Sequence, residues 1–98
     1  MIRELIIQPE AQAELADAYS WYEDQAQGLG SEFLESVDGI LDTILRSPEM
    51  YPSIYRDVRR AVVRRFPYGI LYVVHETRVY VISVFHAKRD PRRWQRRI

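Results

Sequence analysis

Val58-Arg-Arg-Ala-Val-Val-Arg-Arg-Phe-Pro-Tyr-Gly-Ile-Leu-Tyr-Val-Val-His-Glu-Thr-Arg-Val-Tyr-Val-Ile-Ser-Val-Phe-His86 decides the fold. Three runs of Val, Ile, Tyr and Phe lie within it: Val58–Phe66, Tyr68–His75 and Val79–His86. Pro67 separates the first two, and the turn Glu76-Thr77-Arg78 separates the last two. Side chains suited to a pleated, half-buried surface, joined by links this short, predict three antiparallel strands in a meander. The middle run, Gly69–Val74, is apolar at both odd and even positions, which places it at the centre of the sheet with both faces covered.

Upstream, the period changes from two to 3.6. Pro9 suits the first position of a helix, and Glu10 sits favourably at its positive end. Ala11, Leu15, Ala18 and Tyr22 then fall on one helical face, with Trp21 and Tyr22 expected to pack where the helix closes. Gly28 and Gly30 end this helix, and Ser31 is the natural N-cap of a second. Phe33, Val37, Ile40, Leu41, Ile44 and Leu45 give that second helix a broad apolar stripe, which Ser47-Pro48 stops. Residues 2–7 read as a first strand, and residues 48–57, with two prolines, as a loop. The expectation is an α+β fold of order β-α-α-β-β-β, a helical hairpin packed on one face of a small antiparallel sheet.

The chain has 98 residues and no cysteine, which removes disulfides, a thiol nucleophile and Cys-based zinc sites. A chain this short seldom supports two cores, so residues 1–98 are expected to form a single domain with a basic tail over about 87–98. The apolar runs are too short to span a bilayer, and the N-terminus has no secretory pattern, so the expected location is the cytoplasm and no membrane partner is foreseen.

The formal charge is zero, with fourteen basic and fourteen acidic side chains, but the halves differ. Residues 1–50 carry two basic and eleven acidic side chains, a balance of −9; residues 51–98 carry twelve and three, a balance of +9. All the basic residues of the second half except Lys88 are Arg, whose planar fork grips phosphate or carboxylate bidentately. Pairing between the halves can absorb part of this. It does not easily absorb Lys88-Arg-Asp-Pro-Arg-Arg-Trp-Gln-Arg-Arg97, a tail that should be solvated or meet an anion.

Strand alternation through residues 58–66 puts Arg59 and Arg65 on one face and Arg60 and Arg64 on the other, without saying which face is buried. Either pair is a candidate clamp for an anion, or part of a charge-protected strand. His86 ends the last strand in phase with Tyr80, Ile82 and Val84, where it can move protons or simply pack. Trp94 lies among the tail arginines Arg92 and Arg93, able to stack on a base or to dock on the core. No metal-ligand spacing, glycine-rich phosphate loop or nucleophile motif is present, so neither metal nor organic cofactor is implied.

Taken in order, Ala16-Asp-Ala-Tyr-Ser-Trp-Tyr22, Gly30-Ser-Glu-Phe33, Pro48-Glu-Met-Tyr-Pro52, Val58-Arg-Arg60, Phe66-Pro-Tyr68 with Tyr72, and Val84-Phe-His-Ala-Lys-Arg-Asp-Pro91 with Trp94 resemble the RelE/ParE superfamily of bacterial type II toxins. The resemblance covers almost the whole chain. It implies the same helical hairpin on an antiparallel sheet, a growth-inhibiting activity and a cognate antitoxin. It also implies one of two targets: RelE-like members cut mRNA in the ribosomal A site, whereas ParE-like members poison DNA gyrase. For the nuclease branch the resemblance implies Arg60, Arg89 and Trp94 as counterparts of the RelE site. This sequence lacks the RelE-type lysines, leaving His86 as the acid or base and Lys88 or Tyr68 as the second group. The Phe-Pro-Tyr and His-x-x-Arg-Asp-Pro patterns lie closer to the ParE-like, plasmid-stabilisation side, with Arg59, Arg64, Arg65, Arg92, Arg93 and Trp94 as target-binding candidates. A non-toxic binding module of the same fold is the third alternative.

Overall fold

A computed structural model describes the whole chain, residues 1–98. Strand β1 (Glu4–Ile7) leads into helix α1 (Pro9–Gln25), and α2 (Leu29–Arg46) returns beside it. Strands β2 (Ser53–Tyr55), β3 (Val58–Val62), β4 (Tyr68–His75) and β5 (Arg78–His86) follow, and a helical turn α3 (Arg92–Gln95) ends the chain. The sheet order is β1-β5-β4-β3-β2, with β4 in the middle as its two-phase apolar run predicts. All neighbours pair antiparallel except β1, which runs parallel to β5 on the outer edge. Thus the expected α+β fold is present, extended by β2 and α3.

The hairpin covers one face of the sheet. Ala11, Ala18 and Tyr22 of α1 and Phe33, Val37 and Ile44 of α2 are buried against Ala61, Ile70, Tyr72, Val79, Val81 and Val84. Tyr22 and Phe33 also meet Phe66 and Tyr68 in an aromatic cluster with ring centroids 4.9 to 6.2 Å apart. Trp21, expected to pack beside Tyr22, instead points outward and is 59% exposed. The opposite face carries a smaller apolar cluster of Val58, Leu71, Ile82, Phe85 and Trp94.

The corner between the helices differs from the Ser31 cap expected. The N-cap is Gly28 (φ 88°), a left-handed position that suits glycine, so Ser31 lies inside the first turn. The cap is supplied across the hairpin: the Glu23 carboxylate accepts from the backbone N–H of Gly28 (3.2 Å) and Gly30 (2.9 Å).

Residues 58–66 are not one strand. Ladder pairing ends at Val62, and Arg64 and Arg65 lie in the turn to β4, with Arg65 at φ 73°. The phase of β5 also breaks. Leu71 pairs with Ser83 and Tyr72 with Val81, so Ile82 is an inserted residue, a β-bulge. Before the bulge Val79 and Val81 face the helices. After it Val84 faces them while Ile82 and Phe85 face the other side. His86 therefore shares a face with Val84 but not with Ile82, contrary to uninterrupted alternation.

Candidate functional site

The tail is not a free arm. Trp94 is 3% exposed, wedged edge-on against Tyr55 (5.7 Å between ring centroids) and Phe85 (6.4 Å). That burial fixes α3 across the end of the outer sheet face and turns an open surface into a cleft of 440 Å³. Val62 and Ile54 form one wall, Pro91, Trp94 and Gln95 the other, and Gly69, Leu71 and Phe85 the floor. Arg60 and Arg89 enter this cleft from opposite sides.

Arg60 reaches it because of Gly69. A Cβ at Gly69 would lie 3.1 and 3.2 Å from Cγ and Cδ of Arg60, so the missing side chain leaves a trough for the arginine stem. Neither Arg60 nor Arg89 has a carboxylate within ion-pair distance, unlike Arg65, Arg92 and Arg97. Two unpaired guanidinium groups over a mainly apolar floor can hold an anionic group bidentately while excluding water from around it. Val62, 61% exposed beside them, adds apolar contact area.

The other candidate residues are dispersed. Arg59 faces the helix side and is spent on structure: its Nη1 donates to the carbonyls of Glu49 (3.0 Å) and Tyr51, tying down the loop before β2. Tyr72 supports the same loop through its hydroxyl, which donates to Pro48 O at 2.6 Å, and burial pushes its pKa up to about 12. Arg65 pairs with Glu32 of α2 at 2.8 Å and stacks over Phe66. Arg92 binds Asp90 at 2.6 Å, and this bond holds the Asp90 carboxyl at a pKa of about 2. Arg64 and Arg93 are exposed. Trp94 is an internal anchor, not a stacking platform open to a base.

His86 lies on the helix side of the sheet, edge-on to Tyr68 (5.1 Å), in a second groove bordered by Glu14, Asp17 and Trp21. Its Nδ1 accepts from the Lys88 N–H at 3.0 Å, so that nitrogen acts as a turn acceptor. The sheet separates His86 from Arg60, and Pro67, Tyr68 and Arg89, at the start of β4 and beyond β5, border both sides. Tyr68, the alternative proton donor, sets its ring against His86 and also lines the arginine cleft; burial raises its pKa first, Arg89 lowers it, and Glu14 and Asp17 raise it further. The structure thus unites Arg60 with Arg89 but not with His86. Sequence reasoning missed Gly69, Val62 and Ile54; an isolated glycine in a central strand was the available signal of a close approach.

The helical hairpin on a five-stranded, mostly antiparallel sheet has counterparts among solved structures. Among solved structures, the chain is similar to one described as the chromosomal ParDE TA system from P. aeruginosa, with TM-score 0.66, 17% identity, and coverage of 89% of this chain and 98% of that one. It is also similar to the isolated E. coli RelE toxin, with TM-score 0.64, 24% identity, and coverage of 94% and 92%. No curated protein sequence matches significantly.

Residues 5–91 match the family described as the ParE toxin of the type II toxin–antitoxin system, parDE, and the chain belongs to that family. It is a toxin of a type II toxin–antitoxin pair, and membership implies an antitoxin as partner. No helix is long and apolar enough to cross a membrane.

Proposed function

We propose that this toxin inhibits growth by binding DNA gyrase rather than by cutting RNA, and that its antitoxin neutralises it. The observation that carries this reading is the separation of His86 from Arg60 by the full sheet. Cleavage at a 2′-OH needs a base, an acid and cationic groups converging on one phosphate. In the arginine cleft the cations converge on a site without His86 or any carboxylate, and its one phenol, Tyr68, has its pKa raised by burial. That inventory suits recognition of acidic side chains on a protein surface. In this reading Arg60 and Arg89 make the central contacts, Arg64 and Arg93 supply peripheral attraction, and Arg59, Arg65, Arg92 and Trp94 hold the frame. The whole chain acts as one unit in the cytoplasm, where gyrase is found.

The test uses purified protein with purified gyrase, and separately with ribosomes translating a defined mRNA. Loss of supercoiling with intact mRNA is the expected outcome. Arg60→Ala combined with Arg89→Ala should abolish it, whereas His86→Ala should leave it within about twofold. Cleaved mRNA, with activity lost on His86→Ala, would overturn the proposal.

A further inference from the structure

Strand β1 covers only part of β5. It pairs with Arg78–Val81 and stops, while β5 runs on to His86. Beyond that point the edge is met by side chains instead of a strand. The Val84 N–H donates to Glu14 Oε1 at 3.1 Å, as does the fully buried Ser83 hydroxyl at 2.9 Å. The Ile82 carbonyl accepts from Arg97 Nη1 at 2.8 Å, and Arg97 Nη2 donates to Glu14 Oε2 at 3.0 Å. This Glu14–Arg97 pair, with side chains 15% and 22% exposed, is the most buried ion pair of the chain. The tail's own arginine thus shows what this edge accepts: a guanidinium held between a backbone carbonyl and an α1 carboxylate.

Past the clasp the groove continues, 600 Å³ in volume, between α1 and the end of β5. Asp17 lies three residues beyond Glu14, on the same helix face. Its carboxylate has no ion-pair partner, yet it is near enough to the Tyr68 hydroxyl to influence it. Trp21 is one turn further, the largest exposed aromatic surface of the molecule, set edge-on to Tyr22 at 5.1 Å. Arg89 and His86 stand at the far end, leaving the Asp17–Trp21 stretch as the cation-seeking part.

We propose that this groove, between α1 and the uncovered edge of β5, docks an extended, arginine- or lysine-bearing segment of a partner protein, with one cationic side chain between Asp17 and Trp21. An unpaired carboxylate beside an exposed indole is the complement of a guanidinium or ammonium group. Beyond the Ile82 carbonyl and Val84 N–H, which Arg97 and Glu14 occupy, the last residues of β5 have no neighbouring strand on this edge and can offer main-chain hydrogen bonds to an extended chain. The Asp17–Trp21 stretch lies on the helix side of the sheet, away from Arg60, and the groove meets the arginine cleft only at its far end, where Pro67, Tyr68 and Arg89 border both.

The test titrates the full chain with a blocked Val-Arg-Val-Arg-Val peptide, and with its Val-Glu-Val-Glu-Val counterpart, following amide and indole NMR signals. The expected result is a saturable shift, with Kd in the range of about 0.1–1 mM, confined to the Trp21 indole and the amides of residues 84–86. The acidic peptide should produce none. Asp17→Asn should weaken binding about fivefold and Trp21→Ala about tenfold; both side chains are exposed, so both variants should fold. No shift, shifts spread over the acidic helix surface, or undiminished binding by Asp17→Asn would overturn the proposal.

Discussion

Gly30 sits where the two helices come closest. A Cβ there would lie 2.7 Å from the Tyr19 carbonyl oxygen and 2.9 Å from its ring, and the backbone oxygen cannot swing aside. Gly30→Ala should therefore cost about 1–3 kcal/mol by forcing the hairpin apart, measurable by denaturant unfolding. Gly39, with open space around it, is the matched control: alanine there should be neutral or stabilising. Tyr72 makes a pH prediction. Its folded pKa of about 12 exceeds the ordinary value of 10.0, so folding favours the protonated phenol. That contribution is fully present below about pH 10 and is lost as pH rises from there to about 12. Tyr72→Phe should lower stability by about 1 kcal/mol at neutral pH and flatten the alkaline decline, read by unfolding at several pH values.

At the scale of elements, the tail is the part whose role sequence pattern describes least well. Six cations in ten residues call for solvent or an anion, and Trp94 for docking on the core; the structure has Trp94 docked and Arg97 paired with Glu14, which folds the tail back. Trp94→Ala should cost about 3–5 kcal/mol and loosen the wall of the arginine cleft, whereas Trp94→Phe should retain most of the stability. Amide exchange should show the consequence directly, with protection lost at Trp94–Arg97 and then at Val84, whose N–H depends on Glu14. The helices and β4 were legible because their apolar periods are uninterrupted. The face of His86 was not, because the Ile82 bulge adds one residue and a strand's period of two has no tolerance for it. The arginines at 64 and 65 were misplaced because alternation was continued past Val62, where the chain turns. The pairing of Arg60 with Arg89 depends on Gly69 and on the docking of α3, contacts between segments that no local pattern reports.

For the whole molecule, the opposed charges of the two halves become two surfaces. The acidic helices offer Asp17 and Trp21 on one side, and the basic sheet offers Arg60 and Arg89 on the other. The central claim is that the second surface binds and does not cut. It is tested most directly by pulse-labelling DNA and protein synthesis within minutes of inducing this chain without an antitoxin. The account predicts that DNA synthesis falls first, with a DNA-damage response, and that His86→Ala leaves this unchanged. Protein synthesis falling first, with DNA synthesis following later, would contradict it.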